Sequence, residues 1–323
     1  MSDAFRPETF NEFVGNTKTT QILTILCEAA KRKGESRLDP ILLQGGPGLG
    51  KTSLARCIQK TLGGGKLVEI LGSSIQSAED LTKHLLKLQP NDLMFCDEIH
   101  ALKGDLPLFM ALEEGRVSVV QNGYNDMLRS LGISGKTPTA TMMDLPPFTF
   151  IGATTLSGLV SNPLRTRFTH ILQLEMYCDV ELQTIVLNAA RKMQFAMSPE
   201  IAMEIAKRSR STARIAIGNL RWFAEFCKGT GATPDMSAVH ASFTLKDIDC
   251  GGLTRLDRTY LSVLVEAGVP VGVSTLASAT GEDEGNLLQA VEPFLIRKGY
   301  VLKTGRGRVA TQKAIDLVAA KDT

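Results

Sequence analysis

One short motif constrains this chain more than any other feature: it fits the pattern GxxxxGKT and stands between an apolar run and a helical pattern. The apolar run Ile41–Gln44 predicts a buried strand, and the segment from Ser53 to Leu62 predicts a helix. The motif consists of Gly45, Gly46, Pro47, Gly48, Leu49, Gly50, Lys51 and Thr52, followed by Ser53. A strand, a glycine-rich loop and a helix in this order predict a nucleotide-binding P-loop.

The residue types in the motif explain the chemistry. Glycines let backbone amides curl around phosphate oxygens, and the N-terminus of the following helix adds partial positive charge. We expect Lys51 to reach the β- and γ-phosphates and Thr52 to offer its hydroxyl to Mg²⁺. The alternative, a glycine-rich turn with an exposed lysine, explains neither the fixed positions nor the flanking elements. The predicted ligands are therefore ATP or ADP together with Mg²⁺.

A pair of carboxylates ends a second apolar run. Asp97 and Glu98 directly follow Leu93–Cys96, which predicts a strand. A carboxylate at that strand end can hold a water of the Mg²⁺ shell, and its neighbour can polarise the water that attacks the γ-phosphate. We therefore assign Asp97 to the metal and Glu98 to the attacking water, with a solvated loop-facing pair as the alternative. His100 is equally consistent with a structural and a functional role.

Polar residues after later strand patterns extend this site. Phe148–Thr155 predicts a strand that ends in hydroxyls, placed to sense the γ-phosphate from the side opposite Glu98. Arg165 and Arg167 precede the last strand pattern, and a guanidinium is suited to stabilising charge in phosphoryl transfer. Without the other motifs, two arginines in a loop would be read as surface residues. Arg214 opens a helical pattern farther on and is a candidate link to bound nucleotide.

The apolar patterning indicates an α/β fold followed by two smaller parts. The five strand patterns are mostly continuous rather than alternating, which favours a parallel sheet covered by helices. They span residues 41–44, 66–71, 92–97, 148–155 and 170–175. From residue 179 to about 248 only helical patterns occur, at 182–193, 199–208 and 215–227. This part predicts a small helical domain.

The third part follows a flexible joint at 250–252. Helical patterns at 253–266, 274–280 and 287–298 precede a two-strand ribbon at 300–311. Gly305 and Gly307 are expected at the turn of the ribbon. Three helices and a hairpin predict a winged helix-turn-helix. The expected domains are therefore 1–177, 178–250 and 251–323.

Length and composition limit the number of domains and the class of protein. A chain of 323 residues suits two or three domains of roughly 100 to 200 residues each. No apolar run approaches the roughly 18 to 20 residues of a membrane span, and no leader-like stretch begins the chain, so we expect neither a membrane-spanning nor a secreted protein. The six cysteines form no CxxC pair, which argues against zinc or disulfides and favours a cytoplasmic protein. The net charge of +2 does not by itself predict a nucleic-acid partner.

Taken together, these motifs resemble AAA+ ATPases, and in particular the RuvB family of Holliday-junction branch-migration motors. The resembling stretches run through nearly the whole chain: RPETFNEFVGN, ILLQGGPGLGKTSLA, LMFCDEIHAL, DLPPFTFIGATT, NPLRTRF, STARIA, GLTRLDRTYL and VEPFLIRKGYVLKTGRGRVAT. The last stretch is the most discriminating, because P-loops are common and a winged helix with this wing is not. The resemblance implies a homo-hexameric ring that moves duplex DNA at four-way junctions together with a RuvA-like protein.

The resemblance also implies individual roles. Thr154 would be the first sensor, Arg167 a finger that reaches a neighbouring subunit's ATP, and Arg214 a second sensor acting within its own subunit. The adenine pocket would be bordered by Arg6, Pro7, Phe13, Val14 and Tyr177.

The wing carries the expected DNA contacts. Residues 297–313 contain six basic residues and no acidic ones. We expect Lys303, Arg306 and Arg308 to contact phosphates, which binds DNA without reading its sequence. A solvated basic face is the alternative without the winged-helix context.

Several positions depart from the family pattern. Gly46 replaces a usual proline, Leu156 a common basic residue, and Ala213 the proline usual before the second sensor. The segment 116–143 stands where the family has a hairpin that docks on the RuvA-type partner, and it matches that hairpin poorly. Two alternatives to a motor remain: an AAA+ loader that places another protein on DNA, and a nucleotide-switched DNA-binding regulator. The intact DEIH stretch at residues 97–100, Arg167 and Thr154 argue against the regulator.

Overall fold

The computed structural model describes residues 5–120 and 140–320. The chain forms two compact units, Met1–Tyr177 and Cys178–Thr323. Within the described residues, no helix is both long and apolar enough to cross a membrane.

The first unit is built around one sheet. Its strands are β1 (Ile41–Gln44), β2 (Leu67–Leu71), β3 (Leu93–Asp97), β4 (Arg116–Val120), β5 (Ala140–Asp144), β6 (Thr149–Thr154) and β7 (His170–Gln173). Its helices are α1 (Thr17–Arg32), α2 (Lys51–Leu62), α3 (Ala78–Leu85), α4 (Leu106–Glu114) and α5 (Asn162–Arg165). Five strands pair in the order β2-β3-β6-β1-β7, and every pairing is parallel. The predicted five-stranded parallel sheet is confirmed.

Burial explains the strand patterns. All four residues of β1 and all six of β6 are buried, because these strands lie inside the sheet. The edge strands β2 and β7 are only partly buried. Because parallel strands end at the same edge of a sheet, the carboxyl ends of β3, β6 and β1 bring their following residues together. This edge carries the candidate nucleotide site.

A separate antiparallel pair lies within the segment predicted to form a protruding hairpin. β4 and β5 pair with Arg116 opposite Asp144 and Val120 opposite Ala140. The Nε of Arg116 also lies 2.7 Å from Oδ1 of Asp144. The rest of the predicted hairpin, residues 121–139, lies outside the described residues.

The second unit begins with helices and ends with a winged helix. Its helices are α6 (Asp179–Lys192), α7 (Pro199–Lys207), α8 (Ala213–Thr230), α9 (Met236–Thr244), α10 (Arg255–Ala267), α11 (Val273–Thr280), α12 (Glu284–Asn286), a π-helical turn (Leu287–Val291), α13 (Glu292–Arg297) and α14 (Gln312–Ala319). Its strands are β8 (Val301–Thr304) and β9 (Gly307–Ala310). The predicted winged helix is confirmed, whereas α9 and α14 had no counterpart among the predicted helices.

Helices α6 to α9 pack on a small apolar core. Leu182, Val186 and Phe223 are fully buried there. Trp222, the only tryptophan of the chain, donates its indole N–H to the carbonyl of Ser242 at 2.9 Å and so ties α8 to α9.

The wing is a two-stranded hairpin, and one residue from outside the hairpin forms a β-bridge with its second strand. β8 and β9 pair antiparallel, and Val271 adds an isolated bridge to Arg308. Gly307 begins β9 rather than lying in the turn as predicted, and its φ is 145°. A Cβ at Gly307 would meet the backbone of Val271, so this close approach requires glycine.

Candidate nucleotide site and wing

The loop after β1 has the geometry that its glycines predict. The N–H of Gly45 donates to the carbonyl of Thr154 at 3.1 Å, which anchors the loop to the neighbouring strand. Gly48 and Gly50 have φ values of 76° and 96°, a region that residues with side chains adopt rarely. α2 begins directly afterwards at Lys51. The loop therefore turns sharply into a helix N-terminus, the arrangement that binds phosphate.

Lys51 lies against this loop. Its side chain is mostly buried, with 7% of the residue exposed. Nζ donates to the carbonyls of Gly45 at 2.8 Å and Gly46 at 3.1 Å. The ammonium therefore lies against the backbone of the P-loop.

Two aromatic residues predicted for the adenine pocket pack on the P-loop itself. The hydroxyl of Tyr177 donates to the carbonyl of Leu49 at 2.8 Å. A Cβ at Gly50 would lie 2.9 Å from the Phe13 ring and 3.3 Å from the Tyr177 hydroxyl. Both aromatics are buried, at 9% and 4% exposure. The structure brings residues from both ends of the first unit to the loop, and their packing excludes any side chain at position 50.

The segment before Phe13 also lies near the P-loop helix. The thiol of Cys57 in α2 donates to the carbonyl of Pro7 at 3.8 Å. Arg6, Pro7 and Val14 are half-buried.

Glu98 follows β3 and is held in place by its surroundings. Its backbone is left-handed, with a φ of 49°. Oε2 accepts hydrogen bonds from the hydroxyl and the backbone N–H of Thr155, at 2.9 and 3.3 Å. The same oxygen lies 3.3 Å from Nδ1 of His100. A Cβ at Gly72 would overlap the carbonyl of Glu98, so a bare glycine backbone packs against this turn.

The position of Thr154 differs from the prediction. Thr154 is fully buried, and its hydroxyl lies 2.9 Å from Nδ1 of His100 while accepting the N–H of Leu156 at 3.0 Å. Its side chain is therefore engaged inside the fold. The hydroxyl that reaches the carboxylate of Glu98 belongs to Thr155, so the sensing role fits Thr155 better. Sequence reasoning found the pair of hydroxyls, and the family resemblance assigned the sensing role to Thr154 rather than to Thr155.

His100 and Gly72 were not assigned to the site from the sequence. His100 contacts both Glu98 and the Thr154 hydroxyl, which links the two strand ends. The only sequence signal for His100 was its place two residues after Glu98.

The protein groups near the P-loop suit Mg²⁺ rather than a protein-enclosed metal. Asp97 ends β3, and its Oδ1 accepts the backbone N–H of Glu98 at 3.0 Å. Thr52 lies in the first turn of α2. Across residues 5–120 and 140–320, no group of three or more His, Cys, Asp or Glu side chains could hold a metal ion. One hydroxyl and one carboxylate match Mg²⁺, which takes most of its ligands from water and phosphate.

The two candidate arginines before β7 have different environments. Arg167 pairs through Nη2 with Oε1 of Glu113 at 3.0 Å, and its guanidinium lies 5.6 Å from the centre of the Phe109 ring. Its side chain is 30% exposed. Arg165 is exposed. In the second unit, Arg214 is exposed in the first turn of α8.

The prediction that Arg308 contacts DNA disagrees with the structure. Its Nε and Nη2 donate to the two carboxylate oxygens of Glu292 at 2.7 and 3.1 Å. The hydroxyl of Tyr260 donates to the same carboxylate at 3.0 Å. The side chains of Arg308 and Glu292 are 10% and 3% exposed. A guanidinium buried and paired in this way fixes the wing to α13 instead of reaching a phosphate.

The other two predicted DNA contacts are available. Lys303 in β8 and Arg306 in the turn are both exposed. Leu302 beside them is 59% exposed. The tip of the wing therefore presents two basic side chains on a narrow ribbon, a shape that can follow a DNA backbone.

Three protein-family models match consecutive parts of the chain. The RuvB Holliday junction DNA helicase P-loop domain matches residues 5–174, the RuvB AAA lid domain matches 177–249, and the RuvB C-terminal winged helix domain matches 250–319.

Similar full-length proteins agree with these matches. The chain is 40% identical over 309 residues to a Holliday junction branch migration complex subunit RuvB of Granulibacter bethesdensis, covering 95% of this chain and 83% of that protein. It is 38% identical over 318 residues to the protein of the same name from Corynebacterium aurimucosum, covering 96% and 84%. The solved structure of the Thermotoga maritima RuvB Holliday junction branch migration motor superposes with a TM-score of 0.83 at 34% identity, covering 98% of this chain and 99% of that one. This chain therefore belongs to the RuvB family of AAA+ P-loop proteins.

Proposed function

We propose that this chain is the ATP-driven motor subunit of a branch-migration complex, which moves duplex DNA at a four-way junction. In this proposal residues 1–177 hydrolyse ATP, 178–250 form the lid, and 251–323 bind DNA. One observation carries it: a single chain of the RuvB family joins a P-loop with a positioned Glu98 to an exposed basic wing. The relatives are themselves named as a branch-migration subunit and a branch-migration motor.

The site residues have complementary roles in hydrolysis. Lys51 and the loop amides hold the β- and γ-phosphates, and Mg²⁺, when bound, would supply positive charge against the charge that develops on them. Thr52 and Asp97 are the residues that would hold the metal. Glu98 orients and polarises the attacking water, and its contact with the Thr155 hydroxyl fixes the carboxylate for that task.

The base of the nucleotide lies in the pocket that resemblance assigns to five residues. These are Arg6, Pro7, Phe13, Val14 and Tyr177. The packing of Phe13 and Tyr177 on Gly50 supports this assignment, because it places both rings at the P-loop.

Hydrolysis requires a ring in this proposal. Arg167 acts as a finger on the ATP of the next subunit of a homo-hexamer, and Arg214 senses the nucleotide of its own subunit. The ion pair between Arg167 and Glu113 is partly exposed, and such pairs are worth about 1 kcal/mol or less. A neighbouring triphosphate can therefore displace Glu113 at little cost.

DNA and a junction-binding partner act on different parts of the chain. Lys303 and Arg306 contact phosphates of duplex DNA, which allows movement along any sequence. A RuvA-like protein docks on the hairpin segment 116–143. The support for this partner is the family resemblance and the antiparallel pair β4–β5 at the base of that segment.

A synthetic four-way junction tests the proposal directly. The purified chain is mixed with ATP, Mg²⁺ and the junction, with and without a RuvA-type protein, and separation of the arms is followed over time. We expect separation with the partner present, and none with Glu98→Gln protein. If DNA stimulates ATP hydrolysis but neither mixture moves the junction, the motor proposal is wrong and the loader alternative is favoured.

A further inference from the structure

Arg210 connects the lid to the winged helix through an ion pair, a hydrogen bond and a ring contact. Its Nη1 and Nη2 donate to the two carboxylate oxygens of Asp257 at 2.8 and 3.1 Å, and the Asp257 side chain is fully buried. Nη2 also donates to the carbonyl of Ala290 at 2.8 Å, and the guanidinium lies 4.3 Å from the centre of the Phe294 ring. A forked, stacked guanidinium of this kind holds one orientation, which lysine cannot reproduce.

The contacts of Arg210 fall on two elements of the winged helix, α10 and the π-helical turn. Asp257 closes the capping box of α10 by accepting the N–H and the hydroxyl of Thr254, at 2.8 and 2.7 Å. Ala290 lies in the π-helical turn that precedes α13. π-turns interrupt the regular helical hydrogen bonds and occur often at functional sites. Arg210 therefore binds both the first helix and the irregular turn before the wing.

The backbone at Arg210 leads directly to the proposed second sensor. Arg210 and the next residue, Ser211, are both left-handed, with φ values of 50° and 57°. Consecutive left-handed residues with side chains are strained unless their surroundings hold them. Arg297 supports the turn by donating to the carbonyl of Arg210 at 3.4 Å. α8 then begins at Ala213, and Arg214 is its second residue.

The same contacts continue to the DNA-binding tip. α13 follows the π-turn and carries Phe294, which packs under Arg210, and Glu292, which holds Arg308 of β9. Arg308 lies two residues from the exposed Arg306. A continuous set of contacts, from part-exposed at Arg210 to buried at Glu292 and Arg308, thus runs from the turn before Arg214 to the wing.

We propose that Arg210 is a positioning residue that transmits the nucleotide state sensed by Arg214 to the wing. This inference rests on the proposed function, because it takes the sensor role of Arg214 and the DNA role of the wing as given. We call Arg210 and Ser211, which precede Arg214, the sensor turn. If a change of nucleotide moves this turn, the Arg210 side chain moves with it and shifts the π-helical turn and α13. By linkage, DNA bound at the wing must then alter nucleotide affinity by the same factor.

The test measures how strongly nucleotide changes DNA affinity in the full-length protein. Dissociation constants for a fluorescent duplex are determined with ADP and with the non-hydrolysable analogue adenylyl imidodiphosphate, and their ratio reports the coupling. We expect a ratio of about fivefold or more in the unmodified protein, falling toward one in Arg210→Ala. Arg210→Lys keeps the charge but not the fork, so it provides a milder change should the alanine variant fold poorly. Circular dichroism checks the fold of each variant.

A matched control distinguishes the contacts of the sensor turn from other contacts between the lid and the winged helix. Arg258 also bridges lid and winged helix, donating to the carbonyls of Leu253 at 3.2 Å and Asp247 at 3.0 Å, but it does not contact the sensor turn. We expect Arg258→Ala to keep the ratio. The double variant Arg210→Lys with Arg214→Ala gives a second check. If both residues act in the same pathway, the ratio in the double variant should fall no further than in the more strongly affected single variant.

The outcomes distinguish failure of the inference from failure of the proposed function. A folded Arg210→Lys protein with the unmodified ratio overturns it, as does an equal loss in Arg258→Ala. An unmodified protein that moves junctions but shows a ratio of one also overturns it and leaves the motor function standing. An unmodified protein that neither hydrolyses ATP nor binds DNA overturns the proposed function itself, and the inference with it.

Discussion

Replacing Arg308 with alanine distinguishes a structural wing residue from a DNA contact. The change leaves the buried carboxylate of Glu292, which is 3% exposed, without its guanidinium partner, while the Tyr260 hydroxyl still donates to it at 3.0 Å. Hydrogen bonds to Glu292 raise the pKa of Arg308, and burial followed by the charge of Glu292 raises the pKa of Tyr260. Near neutral pH Arg308 therefore stays protonated and the Tyr260 hydroxyl stays neutral, so both can donate to the carboxylate.

The expected loss of stability follows from the number and kind of bonds removed. Arg308 makes two charge-assisted bonds, at 2.7 and 3.1 Å, and each such bond is worth about 1.5 to 3 kcal/mol. Removing one member of a buried ion pair typically costs about 3 to 5 kcal/mol, which agrees with that sum. Opening of the wing should therefore become more frequent by roughly two to three and a half orders of magnitude.

Hydrogen exchange followed by mass spectrometry measures this effect within the full chain. Peptides that cover α13, β8 and β9 should lose protection in Arg308→Ala, while peptides of the first unit should not change. Arg306→Ala is the matched control: Arg306 is exposed, so we expect normal protection but weaker binding to duplexes of unrelated sequence, with a smaller dependence on salt.

A double variant tests the cause of the loss. Glu292→Leu with Arg308→Met removes both charges, and replacing a buried ion pair by apolar groups is often nearly neutral. We expect the double variant to be much more stable than Arg308→Ala. Normal wing protection in Arg308→Ala together with a selective loss of DNA affinity would refute the reasoning and restore Arg308 as a phosphate contact.

The nucleotide site and the cysteines give further predictions. Glu98→Gln should bind ATP yet hydrolyse it at least ~100-fold more slowly in a phosphate-release assay, and normal turnover would exclude the role in water activation. Thr155→Val should slow hydrolysis by about tenfold with little change in nucleotide affinity, since it removes one bond to the Glu98 carboxylate. Arg167→Ala should be inactive alone and regain activity when mixed with Glu98→Gln subunits; no rescue at any ratio would contradict a finger acting between subunits. Maleimide should label the exposed Cys178 and Cys250 before the four buried cysteines, because burial raises the pKa of three of these to about 12, and early labelling of a buried thiol would contradict the packing.

The sheet and the P-loop could be predicted because their signals are local. A strand buried on both faces requires a continuous apolar run, and the order of strand, glycine loop and helix fixes the site at the strand ends. Asp97 and Glu98 follow from the same rule. The bounds of β1 matched the prediction, and the predicted strands at 148–155 and 170–175 were one or two residues too long at their ends.

Other features could not be predicted from the sequence, mainly because they depend on contacts between residues that lie far apart in the chain. Arg308 belongs to a purely basic stretch, and nothing in that stretch reveals that Glu292 in the preceding helix neutralises it. The choice between Thr154 and Thr155 depends on which side of β6 each hydroxyl faces, and His100 decides this by binding the first one. The helix α9 was missed because its sequence, MSAVHASFT, has a weak apolar period.

The lone tryptophan gives this protein a built-in optical probe. Trp222 lies in the lid, where its indole is bonded to Ser242 and the Lys246 ammonium lies 4.7 Å from the ring centre. Excitation at a wavelength that tryptophan absorbs and tyrosine does not will therefore excite a single side chain in each subunit. The emission of Trp222 then reports the contact between α8 and α9 without any label. Mixing nucleotide or DNA with the unmodified chain in a stopped-flow fluorimeter would show, in real time, whether the lid responds to each ligand.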